Sequence, residues 1–265
     1  MPRALSQAEI DHYGEHGWLR IERVFEGEEL DALDRDLDWL IQTWAVTARG
    51  WRGPWRQDYM DAETEEATRL VAMHDVHLYS QAWARAMHSR RLGDALEDLL
   101  GPEVELHHST LHVKPPGTGH PFPMHQDVPF YPHADDRYVD TLVHLDDTSD
   151  ANGCIRFLDG SHRLGPLEHI TLDGASEPHL PTDVYRLDDT VPVPARRGDV
   201  VAFHPYTIHG SRLNTTERMR RLVRVGFRHP DNRQLSGQSV RRPGQMLRGR
   251  RPRAEGAHPF STEVG

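Results

Sequence analysis

Between residues 104 and 228 the chain reads as a run of short strands with no ten-residue helical crossover between them. The segments are "VELHHSTLHVK" (104–114), "YVDTLVHLDD" (138–147), "CIRFLDG" (154–160), "GDVVAFHPYTIHGS" (198–211) and "RLVRVGFR" (221–228). Gly, Pro and Asp turns divide them. Parallel neighbours need long crossovers, so these strands are expected to pair mainly antiparallel. Residues upstream read differently. Ser6-Gln7-Ala8-Glu9 is a capping box for a short helix, and "GWLRIERVF" (17–25) follows as a strand. Leu30, Leu33, Leu37, Leu40, Ile41 and Trp44 form a helical stripe over 27–48 that should pack on a sheet. Ser89 to Leu100, stopped by Gly101-Pro102, is a further helix. The expected fold class is an all-β core with flanking helices, a sandwich or barrel under a helical layer. One domain over 1–265 is expected: a mainly helical layer with a first strand (1–103), a strand-rich core (104–228) and a C-terminal extension (229–265).

The chain has 265 residues, enough to bury a substantial core. Its formal net charge of −10 argues against nucleic acid or an anionic membrane as partner. Cys154 is the only cysteine, so no intramolecular disulfide forms, which fits a reducing compartment. "MPRALSQAEIDHYGEHG" has no apolar core of a secretory signal, and no run is long enough to span a membrane. A cytoplasmic protein, monomer or homodimer, is expected.

Four His-x-Asp triplets occur: His125-x-Asp127, His133-x-Asp135, His144-x-Asp146 and His229-x-Asp231. In a strand, residues i and i+2 share a face, so each triplet can offer an imidazole and a carboxylate to one ion. His133 and His229 sit in apparent turns, whereas His144 lies in a strand and stays a competitor. Two imidazoles and one carboxylate on one face of an octahedron leave three positions open, the non-haem Fe(II) oxygenase arrangement. A chelating 2-oxo acid would need a counter-charge for its distal carboxylate, which an arginine fork supplies. In "HPYTIHGSRLNTTERMRRLVRVGF", His209 ends one strand and Arg220 opens the next, expected beside it; Ser211 can point the same way.

These residues carry a resemblance. "MHQDVPFYP", "LDDTSDANGCIRFLDGSH", "RRGDVVAFHPYTIHGSRLNTTERMRR" and the opening "AEIDHYGEHGWLRIERVF" are similar to segments of the phytanoyl-CoA dioxygenase family of Fe(II)/2-oxoglutarate-dependent oxygenases. The resemblance covers most of residues 7–228. It implies a distorted jelly roll, also called a double-stranded β-helix, with Fe(II) as metal and 2-oxoglutarate and O2 as co-substrates. It implies His125, Asp127 and His209 as iron ligands, and demotes His144-x-Asp146. Arg220 would bind the distal carboxylate of 2-oxoglutarate, with Ser211 assisting. His112, from the face shared by His108, Thr110, His112 and Lys114, is the choice for a further polar contact, against a structural histidine. Lys114, the only lysine, matches a Lys-Pro-Pro segment of the family; a surface position near the site mouth is the favoured expectation. Many members carry Trp where this chain has Leu142, so that edge of the pocket departs from the pattern. Asp127 is present where related halogenases have a small residue, which disfavours halogenation.

The expected reaction is hydroxylation of an unactivated C–H bond of a small molecule, a secondary metabolite, with release of succinate and CO2. Desaturation, epoxidation or cyclisation by the same site is the alternative, as is a cupin-type metal enzyme without 2-oxoglutarate. A non-catalytic jelly-roll binding protein is a third option, which the complete ligand set disfavours. Trp51, Trp55, Arg56 and Tyr59 in the aperiodic loop 48–61, and Phe130 and Tyr131, are candidate substrate contacts or else packing residues. The basic C-terminal stretch is either a tail or a cover over the site opening.

Overall fold

The computed structural model describes residues 2–172 and 176–251. Fourteen strands are present among them: β1 Trp18–Ile21, β2 Val46–Ala48, β3 Leu70–His74, β4 Val104–Lys114, β5 Phe122–His125, β6 Tyr138–His144, β7 Arg156–Phe157, β8 Ile170–Leu172, β9 Ser176–His179, β10 Val191–Pro192, β11 Val200–Phe203, β12 His209–Ser211, β13 Arg220–Arg228 and β14 Gln245–Arg248. The helices are α1 Gln7–His16, α2 Gly27–Thr43, α3 Ala62–Ala67, α4 Val76–Tyr79, α5 Gln81–Ala86 and α6 Arg90–Leu100. The larger sheet runs β1-β11-β6-β13-β4-β3-β2, with β14 also on β4; a second sheet runs β10-β7-β12-β5. Every strand pair in both sheets is antiparallel.

The expected all-β core with flanking helices is what the chain forms. Ser6 Oγ accepts from Glu9 N while Ser6 N donates to Glu9 Oε2, so the capping box starts α1. Leu30, Leu33, Leu37 and Leu40 are buried along α2 as the stripe predicts. That helix ends earlier than the expected residue 48. Trp44 caps it and is 54% exposed, and the chain turns into β2. The strand expected over 17–25 is confined to β1, and the one over 154–160 to β7. The segment 198–211 is two strands, because Pro205 has no N–H for a ladder and Thr207 N donates to His204 O to close a turn there. This break carries the chain from the larger sheet (β11) to the smaller (β12). Residues 1–103 contribute three sheet strands rather than one. The C-terminal extension adds β14; residues 252–265 lie outside the described residues.

Alternation along β13 sets up the interior. Val223 and Val225 pack with Leu33, Trp83 and Leu96 in the core under the helices. Leu222 faces the other way, into the space between the sheets with Phe157 and Phe203, and Arg220 and Arg224 share its face. Gly226 is required on this strand, since an added Cβ would sit 1.9 Å from the Tyr138 hydroxyl oxygen.

His107, His108, His120, His125, His144 and His209 are buried. Burial lowers the pKa of each, to about 3 for His107 and about 4 for His144. An unfolded chain protonates these rings near pH 6.5, whereas the folded one keeps them neutral. Their stabilisation is therefore present above pH 6.5 and is lost as pH falls below it. Burial raises the Asp140 pKa, which opposes this trend. Urea unfolding of the metal-free protein followed by circular dichroism should show stability falling as pH drops below about 6.5. Full stability at pH 5 would mean that the folded protein protonates these rings.

Candidate metal centre

His125 ends β5, and its register partner on β12 is His209. The two rings lie 4.2 Å apart between centroids. Asp127 comes from the turn after β5, not from the strand itself, so the expected strand alternation is not what aims it. Ligand atoms of His125, Asp127 and His209 lie within 4.8 Å of one another, the one such cluster among the described residues. His125 Nδ1–H donates to Pro123 O at 2.7 Å and His209 Nδ1–H to Thr207 O at 3.0 Å. Each ring thereby turns Nε2 towards Asp127, at 3.8 Å from Oδ1 and 3.9 Å from Oδ2 respectively. Backbone carbonyls that fix the tautomer in this way leave Nε2 lone pairs for a metal.

The donor set fits a ferrous ion. Burial lowers the pKa of both histidines, so their rings are neutral. Burial works to raise the Asp127 pKa, but the Arg224 guanidinium outweighs it and holds the carboxyl well below its ordinary range. Asp127 Oδ1 receives Arg224 Nη1 at 2.6 Å, while Oδ2 is buried with no hydrogen-bond partner. A buried carboxylate oxygen without a donor suits a cation. The rival triplets are not assembled: Asp146 is bound to Arg221 and Asp135 to Arg137.

A cavity of about 270 Å³ opens beside the triad, between the two sheets. Here an expectation is corrected. The strand of Arg220 does not lie beside that of His209; β13 pairs with β4 and β6, and β12 with β5 and β7. The two residues face each other across the cavity, because the turn from Asn214 to Glu217 returns the chain to the larger sheet. Arg220 is buried, and burial pulls its pKa down to about 10. Its one hydrogen bond goes from Nη1 to His112 O at 3.4 Å, and its Nε has no partner. Among the described residues no carboxylate pairs with it. His112 lines the same cavity, its ring 5.4 Å from that of Phe122. Leu142 lines it too, opposite Arg224 in register.

Lys114 is not at the surface as expected; it is fully buried. It ends β4 opposite Arg220, and Nζ donates to Ser211 Oγ at 2.7 Å and to the Arg212 carbonyl. Its side chain runs under Gly153, where an added Cβ would lie 2.7 Å from Nζ. Burial, then Arg220, lowers its pKa well below the ordinary lysine value. Two buried basic side chains thus adjoin, and among the described residues no carboxylate pairs with either.

Of the expected substrate contacts, Trp51 and Phe130 line the cavity, with rings 5.2 Å apart. His120 places Trp51 by accepting its backbone N–H at 3.0 Å. The others are corrected. Trp55 is buried against Tyr59 and donates to Arg52 O. Arg56 pins the loop through the Trp51 and Glu65 carbonyls and the Glu65 carboxylate. Tyr59 borders a separate cleft with Asp150 and Arg212. Tyr131 is behind the cavity wall, donating to Asp140 Oδ2 at 3.0 Å and accepting from Arg224 Nη1 at 2.8 Å. Sequence reasoning missed Arg224, His74 and Gln238 as lining residues. The signal for Arg224 was present, four residues along one strand from Arg220. Gln238 reaches the cavity just before the basic C-terminal stretch, whose end lies outside the described residues: Gln238 N donates to Phe130 O at 2.8 Å, and Nε2 to His74 Nδ1 at 2.8 Å.

The sequence matches the family described as phytanoyl-CoA dioxygenase (PhyH) over residues 13–222. It is 30% identical over 236 residues to a probable alpha-ketoglutarate-dependent hypophosphite dioxygenase of Stutzerimonas stutzeri, covering 85% of this chain and 79% of that protein. It is 26% identical over 244 residues to L-proline trans-4-hydroxylase of Streptomyces griseoviridis, covering 83% and 85%. The crystal structure of the non-heme alpha ketoglutarate dependent carbocyclase SnoK from nogalamycin biosynthesis superposes with a TM-score of 0.71 at 22% identity, over 94% of this chain and 97% of that one. Among the described residues no helix is long and apolar enough to cross a membrane. With a family match over most of its length, the chain belongs to the phytanoyl-CoA dioxygenase family of Fe(II)/2-oxoglutarate-dependent dioxygenases.

Proposed function

We propose that the protein hydroxylates an unactivated C–H bond of a small molecule, a secondary metabolite, on a distorted jelly roll, as a cytoplasmic monomer or homodimer. The observation that carries the co-substrate part is Arg220, a buried guanidinium without a carboxylate at the far side of the cavity from Asp127. His125, Asp127 and His209 would hold Fe(II), which together with 2-oxoglutarate and O2 supplies the two-electron oxidation of the substrate; one oxygen atom enters succinate, the other the product, and CO2 leaves. Arg220 receives the distal carboxylate in its fork. Lys114 donates to Ser211 Oγ, which leaves the serine hydrogen free to reach the same carboxylate. His112 holds the Arg220 side chain through its carbonyl. Trp51 and Phe130 narrow the opening and keep bulk water from the reacting centre. A cavity of about 270 Å³ is at the low end for small-ligand sites, which favours a compact reacting group.

The test is a mass-spectrometric screen of candidate metabolites under 18O2, following substrate-dependent succinate. One labelled atom in succinate and one in a product 16 mass units heavier before labelling is accounted for would support hydroxylation. A product two units lighter than its substrate would replace it by desaturation or ring closure. Lys114→Met should weaken 2-oxoglutarate binding about tenfold, about 1.4 kcal/mol. Metal affinity should stay unchanged, both read by calorimetry. Unchanged co-substrate affinity would remove Lys114 from this role.

A further inference from the structure

Resting on the dioxygenase reading, we infer that the substrate carries an anionic group, received by Arg224 together with Thr110. Three strands set these side chains in one row across the larger sheet: His74 on β3 is in register with Thr110 on β4, and Thr110 with Arg224 on β13. All three line the cavity. The row lies four residues along β13 from Arg220, about 13 Å at ordinary strand rise. A 2-oxo acid seated on Arg220 therefore leaves this row to another ligand.

The donors there are incompletely used. Arg224 is buried; Nη1 donates to Asp127 and Tyr131, and Nη2 to His108 Nε2 at 3.2 Å. Its Nε is buried with no partner. Thr110 Oγ1 lies 3.1 Å from His74 Nδ1, but Gln238 Nε2 already donates to that nitrogen. An imidazole nitrogen has one lone pair, so the Thr110 hydroxyl hydrogen is free to turn to a ligand.

Charge points the same way. The lining side chains include Arg220, Arg224 and one ionised carboxylate, Asp127, and Lys114 adjoins them. Burial, and then Asp127, raise the Asp140 pKa well above the ordinary carboxylate range. The lining histidines are neutral for the same reason of burial. A divalent metal and a dianionic co-substrate cancel each other, so the lining keeps two guanidiniums against one carboxylate. Arg224 has Asp127 as its counter-charge, but that carboxylate is shared with the metal, so a further anion relieves the buried positive charge where a neutral ligand does not. Trp51 and Phe130 at the opening would then face the apolar part of the same molecule.

The experiment uses the anaerobic protein loaded with Fe(II) and 2-oxoglutarate. Cyclopentanecarboxylate and its amide, cyclopentanecarboxamide, serve as matched probes, with hypophosphite as a compact anion. Binding is read by calorimetry and by a shift, without loss, of the visible metal-to-ligand band. The acid and hypophosphite should bind at least tenfold more tightly than the amide, about 1.4 kcal/mol. Arg224→Lys and Thr110→Val should each cut that ratio to threefold or less. Thr110→Val changes no charge, so it decides the matter even if Arg224→Lys disturbs Asp127. Acid and amide within threefold in the wild type, or a ratio unchanged in Thr110→Val, overturns the inference while leaving the dioxygenase reading intact. No band in the wild type overturns both.

Discussion

Asp127→Ala is expected to destabilise the metal-free protein by about 3–5 kcal/mol, quite apart from any loss of metal binding. Asp127 is the carboxylate paired with Arg224, at 2.6 Å, and both are buried. Removing it leaves a buried guanidinium held only by the Tyr131 hydroxyl and the His108 ring. Breaking a buried pair from one side costs far more than replacing both partners with apolar groups. Asp127→Ala/Arg224→Met should therefore recover at least about 2 kcal/mol of the loss in urea denaturation with chelator present, the coupling expected of contacting residues. Additive single-mutant effects would mean that the two side chains do not depend on each other. The point matters for function. The carboxylate assigned to the metal is ionised and positioned before any metal arrives.

Arg220→Met should do the opposite to stability and more to binding. Arg220 is buried without a carboxylate, so an apolar side chain of similar length should leave the unliganded protein as stable or more stable. Affinity for 2-oxoglutarate should fall at least 100-fold, about 2.7 kcal/mol. Calorimetry on metal-loaded protein and urea unfolding of the same preparation read the two quantities together. A loss of stability above about 2 kcal/mol with co-substrate affinity within threefold of wild type would make Arg220 a structural residue. Binding sites that hold an unpaired charge in the free protein are the expected places for such an exchange of stability against function.

Much of this arrangement was legible in the sequence because it rests on local rules. The capping box, the leucine stripe of α2 and the strand alternation of β4 each act within a few residues, and each element forms there, α2 stopping short of its expected end. The alternation that put Thr110, His112 and Lys114 on one face also holds for Arg220 and Arg224 on β13. What was not legible depends on which sheet a strand joins. The Pro205 turn sends β12 to the smaller sheet, so His209 and Arg220 meet across a cavity rather than along a hairpin. Lys114 was misplaced for the same kind of reason. Its burial follows from Gly153 and Ser211, which only the tertiary fold brings over it. Aromatic content alone did not separate Trp51 and Phe130, which line the cavity, from Trp55 and Tyr131, which pack behind or away from it. Gln238 carried no local signal, since its position is fixed by the Phe130 carbonyl and His74.

The central claim is that His125, Asp127 and His209 with Arg220 make one ferrous 2-oxoglutarate site. Anaerobic addition of Fe(II) and 2-oxoglutarate to the wild-type protein tests it most directly. A visible metal-to-ligand charge-transfer band should appear at one equivalent of each. The band should be lost in His209→Ala and need far more 2-oxoglutarate in Arg220→Met. No band in the wild type, or a band of undiminished strength and co-substrate affinity in both variants, would contradict the account.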